Sequence, residues 1–292
     1  MHSYQGLVLD SHVHLFDPVR PQGVPWPPTD APIHRTTLAS HLFAAAADQG
    51  IGWAIAVEAS PWADDNHWLC EAVRAHPQML GFVGNLPLGE TGCAALLDEY
   101  LAEPLFLGTR YGNLWERDLQ QQLDNPRFIA DLQRLAASGR TLDSANPDYA
   151  LIEALLALTD RVPELALIID HLPSAEYAPA EAERFWRALG ELATRPQVSM
   201  KLSAIAQPSA NGASFAIDDY RERLDRLWQL FGGERILFGS DWPNSVRLGS
   251  YPQILQLASD YLAPLPYAVQ EQVLFGNALR IYPVAAERKP TL

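Results

Sequence analysis

The sequence predicts an α/β fold, a (β/α)8 TIM barrel in which eight parallel strands alternate with eight helices. Apolar, strand-like runs recur along the 292 residues, with helical stretches between them. Several runs are apolar throughout, such as residues 165–169, as expected when helices cover both faces of a parallel sheet. Eight such units in a chain of this length fit a barrel better than an open doubly wound sheet.

The predicted elements follow one another in regular order, and we expect one domain over residues 1–292. Strands are predicted near residues 6–12, 53–59, 80–86, 105–110, 139–143, 165–171, 198–203 and 235–240. Helices are predicted near residues 38–49, 65–76, 93–102, 126–138, 147–159, 180–194, 218–231 and 252–262. A final helix over 267–282 closes the chain. No GxGxxG or GxxxxGK[ST] motif supports a dinucleotide-binding or P-loop fold.

One connection is much longer than the others. Residues 15–37 follow the first strand and contain six prolines and Trp26. Long loops in compact domains are usually functional or disordered, and proline lowers the entropy cost of ordering one. We expect this segment to form a fixed wall or lid over a pocket, with a flexible linker as the alternative.

Composition excludes several classes of partner. The net charge of −14 argues against nucleic acid and anionic membranes, since both would repel such a surface. The two cysteines are isolated, so neither a disulfide framework nor a thiolate metal site is indicated. No basic leader or membrane-spanning apolar stretch is present. We therefore expect a cytoplasmic protein with a small-molecule partner, and a homo-oligomer stays open.

The first strand ends in an Asp-x-His-x-His motif, Asp10 to His14. Residues two apart on a strand face the same side, so Asp10, His12 and His14 are expected to project together. Two adjacent imidazoles form half of a metal site or a cluster that polarises a carbonyl. The structural alternative is a pair of histidines bonded to loop carbonyls.

Other predicted strands also end in polar residues. Catalytic groups of (β/α)8 barrels lie at the carboxyl ends of the strands, which favours a functional site over a structural core. The residues singled out at these ends are Arg110 on strand four, His171 on strand six, Lys201 on strand seven, and Asp241 and Trp242 on strand eight.

Four motifs carry a resemblance to a known family. They are the Asp-x-His-x-His run, Ile169-Asp170-His171-Leu172, Met200-Lys201-Leu202-Ser203, and the segment from Ile236 to Pro243. Together they resemble the amidohydrolase superfamily, and more narrowly its lactonase branch. That branch includes fuconolactone- and rhamnonolactone-type sugar-lactone hydrolases and 2-pyrone-4,6-dicarboxylate lactone hydrolases. The similarity spans residues 7–282 in consistent order.

The resemblance implies a hydrolase that opens a lactone ring. Water requires a base and the carbonyl oxygen requires donors. We assign Asp241 as general base, with the catalytic histidines His12, His14 and His171 flanking the carbonyl. The predicted substrate-binding residues are Arg110, Lys201, Trp26 and Trp242. Lys201 has a structural alternative, in which it is a buried partner of a carboxylate.

The resemblance also bears on cofactors. Strand four ends in Arg110, which cannot ligate a metal, and strand five carries no histidine. We therefore expect no cofactor. The alternative is one divalent metal, zinc, held by His12, His14 and Asp241. The alternative functions are a zinc-dependent decarboxylase or amide hydrolase of the same superfamily, and a barrel that binds a ligand without catalysis.

Overall fold

A computed structural model of the chain describes residues 4–145, 147–172, 178–209 and 212–290. Eight parallel strands form one sheet in sequential order. The seam between the last and first strands is closed by backbone hydrogen bonds from Asp241 N to His12 O (2.9 Å) and from His14 N to Trp242 O (2.7 Å). The predicted barrel is therefore confirmed. The strands are β1 (Val8–Val13), β2 (Ile51–Val57), β3 (Met79–Gly84), β4 (Phe106–Arg110), β5 (Thr141–Ser144), β6 (Ala166–Ile169), β7 (Val198–Leu202) and β8 (Ile236–Phe238).

Helices lie between the strands at each predicted position, and a short helix after β4 was not predicted. The predicted final helix is two helices joined by a π-helical segment over Gln272–Gly276. Within the described ranges, no helix combines the length and apolarity needed to cross a bilayer. The helices are α1 (Ala39–Ala45), α2 (Asp65–Arg74), α3 (Cys93–Leu101), α4 (Leu119–Gln122), α5 (Pro126–Ala137), α6 (Tyr149–Arg161), α7 (Pro179–Ala193), α8 (Arg221–Phe231), α9 (Tyr251–Leu262), α10 (Tyr267–Glu271) and α11 (Asn277–Ile281).

The apolar core has two parts. A large outer part fills the space between strands and helices. A smaller part fills the barrel interior and contains Leu9, Ile55, Leu107 and Leu237, with Phe275 and Tyr282 from the C-terminal helices packed against it. Apolar side chains close the amino-terminal end of the barrel, which leaves the carboxyl end for polar groups.

A bulge in β1 changes which side chains share a face. Between Asp10 and Val13 the strand advances three residues while β2 advances two, from Ala54 to Ala56. The extra residue reverses the alternation. Asp10 therefore points out of the barrel to Tyr251 of α9, whose hydroxyl donates to Asp10 Oδ2 (2.8 Å). The expectation that Asp10 projects with His12 and His14 was wrong.

The proline-rich segment 15–37 is tied down at several points. Phe16 and Thr37 exchange two backbone hydrogen bonds (3.0 and 2.8 Å) at its ends. Within it, Arg20 forms an ion pair with Asp65 at the start of α2 (3.1 Å). Trp26 packs edge-on against the ring of His14 (5.5 Å between centroids). These contacts favour a fixed wall over a flexible linker.

Candidate active site

A pocket of about 470 Å³ opens at the carboxyl ends of the strands. It combines histidine, carboxylate, guanidinium and indole groups in one space. The residues that line it are His14, Trp26, Glu58, Ala59, Arg110, Leu114, Trp115, His171, Asp241 and Asn244.

Asp241 lies directly after β8, at the centre of this group. Its φ of +59° belongs to the left-handed region that non-glycine residues seldom adopt. The Asn244 side-chain amide donates to Oδ2 (2.7 Å). Oδ1 lies 3.2 Å from His14 Nε2 and 3.9 Å from His12 Nε2, yet no donor among the described residues is aligned with it. The side chain thus presents one buried oxygen to the pocket.

The surroundings of Asp241 keep its carboxylate charged. Burial alone would raise its pKa, but the imidazoles of His171, His14 and His12 lower the pKa of Asp241 below its usual value. A carboxylate stabilised by such neighbours is ionised at neutral pH and can accept a proton. This is the protonation state that a general base requires.

Each of the three histidines is oriented through its Nδ1 atom. His14 Nδ1 donates to the Val57 carbonyl (3.0 Å), which directs Nε2 towards Asp241. His171 Nδ1 lies 2.8 Å from the Ser203 hydroxyl, and its backbone φ is +69°. Burial lowers the pKa of both His12 and His171. Both are therefore neutral near pH 7.

One wall of the pocket is built on Glu58, at the end of β2. Its carboxylate accepts from the Ser60 backbone (2.8 Å) and from the Trp115 indole (3.2 Å to Oε2). Arg110 Nη1 lies 3.5 Å from Glu58 Oε1, and Arg110 Nε lies 3.0 Å from Asp170 Oδ2. Arg110 thus bridges two buried carboxylates at the pocket edge.

Beneath the pocket lies a buried charge network made of Asp143, Asp170 and Lys201. Lys201 Nζ is 2.7 Å from Asp143 Oδ2 and 2.8 Å from Asp170 Oδ1. The Tyr282 hydroxyl also donates to Asp143 Oδ2 (2.6 Å). Burial alone would raise the pKa of Asp170, but Lys201 holds that pKa well below its usual value. The network is fully enclosed.

Some of these donors could hold a metal ion. Ligand atoms of His12, His171 and Asp241 all lie within 4.8 Å of one another, and His12 Nε2 lacks a hydrogen-bond partner among the described residues. Imidazole and carboxylate are suitable zinc ligands. A ligating histidine, however, usually donates its other ring N–H to a carboxylate or carbonyl. His12 Nδ1 lies closer to the Lys201 ammonium (3.2 Å) than to the Asp170 carboxylate (3.5 Å). A ring nitrogen that accepts from an ammonium does not fit a zinc ligand.

The structure brings together most of the residues singled out from the sequence. His14, His171, Asp241, Arg110 and Trp26 line the pocket. His12 is completely buried just beneath them. The predicted substrate contacts of two further residues find no support in their positions. Lys201 is enclosed in the charge network, and Trp242 is packed in the core near the barrel seam.

Sequence reasoning missed several residues of the site. Asp170 was not singled out beside His171, because adjacent residues on a regular strand face opposite sides. The regular strand ends at Ile169, however, and Asp170 reaches Arg110, Lys201 and His12. Trp115 lies on the loop after β4, and Asn244 begins a short 3₁₀ helix after β8; neither belongs to a motif. Glu58 had a visible signal, since it is an acidic residue at the end of an apolar strand.

Comparison with known proteins finds lactonases among the relatives of the chain. L-fucono-1,5-lactonases from Burkholderia ambifaria and Burkholderia multivorans are 26% and 28% identical to the chain, each covering 94% of it and 94% and 96% of the relative. A zinc-bound amidohydrolase structure from Burkholderia multivorans matches with a TM-score of 0.84 and 25% identity, over 96% of this chain and all of the other.

A second structure shares the fold. It is a putative 2-pyrone-4,6-dicarboxylic acid hydrolase from Pseudomonas putida, with a TM-score of 0.74 and 19% identity over 94% of this chain and 97% of the other. The family model described as "Amidohydrolase" matches residues 9–284, which confirms the family resemblance found in the motifs. The chain belongs to the amidohydrolase family.

Proposed function

We propose that the protein hydrolyses a neutral, polyhydroxylated lactone to the open hydroxy acid, with Asp241 as the general base. The observation that carries this proposal is the buried Asp241 carboxylate, whose Oδ1 faces the pocket 3.2 Å from His14 Nε2. The lactonases among the relatives support the reaction class.

The proposed reaction uses the residues in two stages. Asp241 Oδ1 takes a proton from water as the water oxygen bonds to the lactone carbonyl carbon. Imidazole and guanidinium donors stabilise the charge that develops on the carbonyl oxygen. The bond between the carbonyl carbon and the ring oxygen then breaks, and the proton on Asp241 passes to the departing alkoxide. Asp241 is thereby returned to its ionised form.

The charges of the pocket favour a neutral lactone over a carboxylated one. Of the described residues that line the pocket, Arg110 is the one lysine or arginine, and it already contacts Glu58 and Asp170. A substrate carboxylate would therefore face Glu58 and Asp241 without a spare cation. Sugar hydroxyls can instead donate to Glu58, and the indoles of Trp26 and Trp115 offer flat apolar faces to a sugar ring.

A panel of lactones tests this proposal. Aldonolactones and carboxylated lactones are offered to the purified protein with a pH indicator, with and without a strong chelator. We expect turnover of aldonolactones, little turnover of carboxylated lactones, and no loss of rate after chelation. Turnover confined to carboxylated substrates would overturn the substrate class. Complete loss of activity on chelation, restored by zinc, would overturn the metal-free route and favour a zinc-dependent hydrolase.

A further inference from the structure

We propose that Lys201 is a positioning residue that fixes His12 with its proton on Nε2. His12 then directs a hydrogen-bond donor towards the floor of the pocket, beneath the lining residues, in place of the lone pair that a metal would need. The role of this donor towards a lactone carbonyl rests on the proposed function. The proton position itself rests only on the contacts of the buried charge network.

Lys201 can act on its buried neighbours only as a hydrogen-bond donor. An ammonium group has three hydrogens and no lone pair, so it can only donate. Lys201 Nζ donates to Asp143 Oδ2 (2.7 Å) and forms an ion pair with Asp170 Oδ1 (2.8 Å). Its third neighbour is His12 Nδ1 at 3.2 Å. His12 Nδ1 must therefore accept, and a neutral imidazole that accepts through Nδ1 carries its proton on Nε2.

The competing arrangement would place the proton on Nδ1 and donate it to Asp170. The distance from His12 Nδ1 to Asp170 Oδ1 is 3.5 Å, at the outer limit of a hydrogen bond. That proton would also point into the region occupied by the closer ammonium. Two donors facing each other in a fully buried space are strongly unfavourable. The contacts therefore favour Nε2–H.

The other ring nitrogen of His12, Nε2, lies below the pocket. His12 Nε2 is buried without a hydrogen-bond partner in the part of the chain that the structure describes. It lies 3.9 Å from Asp241 Oδ1, too far for a hydrogen bond. An unpaired buried N–H is costly in the free protein, and we expect a substrate oxygen that reaches the floor of the pocket, beside Asp241, to relieve that cost. This is how a donor prepared for an oxyanion would look.

Lys201 is held in place by a carboxylate that is itself fixed by two hydroxyl groups. Thr141 Oγ1 donates to Asp143 Oδ1 (3.0 Å), and Tyr282 donates to Asp143 Oδ2. Lysine is rare in this chain: Lys201 and Lys289 are its two lysines, whereas 19 arginines are present. A compact ammonium donates in three separate directions, whereas a planar guanidinium donates in a fixed fork.

Nitrogen NMR of the histidine rings tests the proposal in the wild-type protein. The ring signals of His12 are assigned by their loss in His12→Gln. We expect the chemical shifts of a neutral ring with a protonated Nε2 and an acceptor Nδ1. A neutral ring with a protonated Nδ1 would overturn the proposal, whether or not the protein is a lactonase.

Metal binding by a lysine variant provides a second test. Lys201→Met removes the donor and frees His12 to turn its proton towards Asp170, which exposes a lone pair at Nε2. Calorimetry with zinc or cobalt(II) should then show at least a tenfold gain in affinity over wild type. The gain should disappear in Lys201→Met/His12→Gln, which excludes binding to the two carboxylates alone. Lys289→Met, at an exposed position, is the matched control and should not change the affinity.

Removing Lys201 takes the ammonium partner from two buried carboxylates and can prevent folding. Asp170 then keeps Arg110, and Asp143 keeps the hydroxyl donors of Thr141 and Tyr282. Lys201→Met/Asp143→Asn removes one of these charges and keeps the test available. A folded variant of either kind that gains no affinity for the metal would overturn the proposal.

Discussion

Two residues of the pocket, His171 and Asp241, have left-handed backbone conformations, with φ of +69° and +59°. For residues with side chains such conformations cost about 1–3 kcal/mol each. They follow β6 and β8, at the two points where the backbone leaves the sheet. The turn that creates this strain also directs each side chain into the pocket, so part of the folding free energy is used to position the two proposed catalytic side chains.

Asp241→Asn should lower kcat by about 10²- to 10⁴-fold, the usual contribution of a general base. Asparagine tolerates the left-handed region, so the melting temperature should stay close to that of wild type. Asp48→Asn is the matched control, since Asp48 is exposed and also has a left-handed φ of +63°. Steady-state kinetics and thermal melts measure both. Unchanged turnover in Asp241→Asn would remove it as the base.

Glu58→Gln should raise KM for aldonolactones several-fold and reduce the discrimination against carboxylated lactones. The amide keeps the volume of Glu58 but loses the negative charge that repels a substrate carboxylate. Relative kcat/KM values for the two substrate classes give the measurement, with the exposed Glu71→Gln as control. An unchanged ratio would mean that Glu58 does not determine the substrate class.

At the scale of elements, the β1 bulge gives Asp10 a structural role. Its carboxylate accepts from the backbone of His12 (3.1 Å) and of Ser240 (2.9 Å), and from the Tyr251 hydroxyl. One buried side chain therefore fastens β1 to the end of β8 and to α9. Its pKa is raised by burial. The hydrogen bonds of Asp10 therefore support both the barrel seam and the end of the barrel at which the pocket lies.

Tyr251→Phe should reduce the free energy of unfolding by about 1–3 kcal/mol, because it leaves a buried acceptor with one donor fewer. Tyr261→Phe on the same helix is the comparison. Its hydroxyl donates to the exposed Asp225 (3.1 Å), where water can replace the lost bond, so the effect should be smaller. Urea denaturation measures both variants. Equal losses would show that the buried hydrogen bond from Tyr251 to Asp10 contributes no more stability than the one from Tyr261 to Asp225.

At the scale of the whole molecule, the site opposes stability in acid. His12 and His171 are buried, and their pKa values are lowered in the folded state. In the unfolded chain they take up protons near pH 6.5. The unfolded state therefore binds more protons below that pH, and stability falls as the pH falls.

Between pH 7 and pH 5 we expect a loss of about 1 kcal/mol per pH unit for each of these histidines once the pH is below 6.5. Thermal or urea denaturation across this range measures the slope. His171→Asn should make the slope shallower, whereas His67→Asn, at an exposed side chain, should leave it unchanged. The same slope in wild type and in His171→Asn would contradict the lowered pKa of His171.

The sequence sufficed for the barrel because apolar runs and their spacing are local signals. It also located the end of the barrel at which the pocket lies, since His14, His171 and Asp241 follow apolar strands. The β1 bulge was not predictable, because an extra residue shows only when β1 is paired with β2. The partners of Lys201 were not predictable either, because Asp143, Asp170 and Tyr282 lie on three other elements. Contacts that are distant in sequence leave no periodic pattern.

The Tyr282 hydroxyl that donates to Asp143 has a consequence for biosynthesis. Tyr282 directly follows α11. During translation, it leaves the ribosome well after His12, Asp143 and Lys201. A nascent chain can therefore pair its strands before its central charges have all their partners. We expect the buried charge network to be complete only after residues 267–282 have been made and the C-terminal helices have docked beneath the pocket.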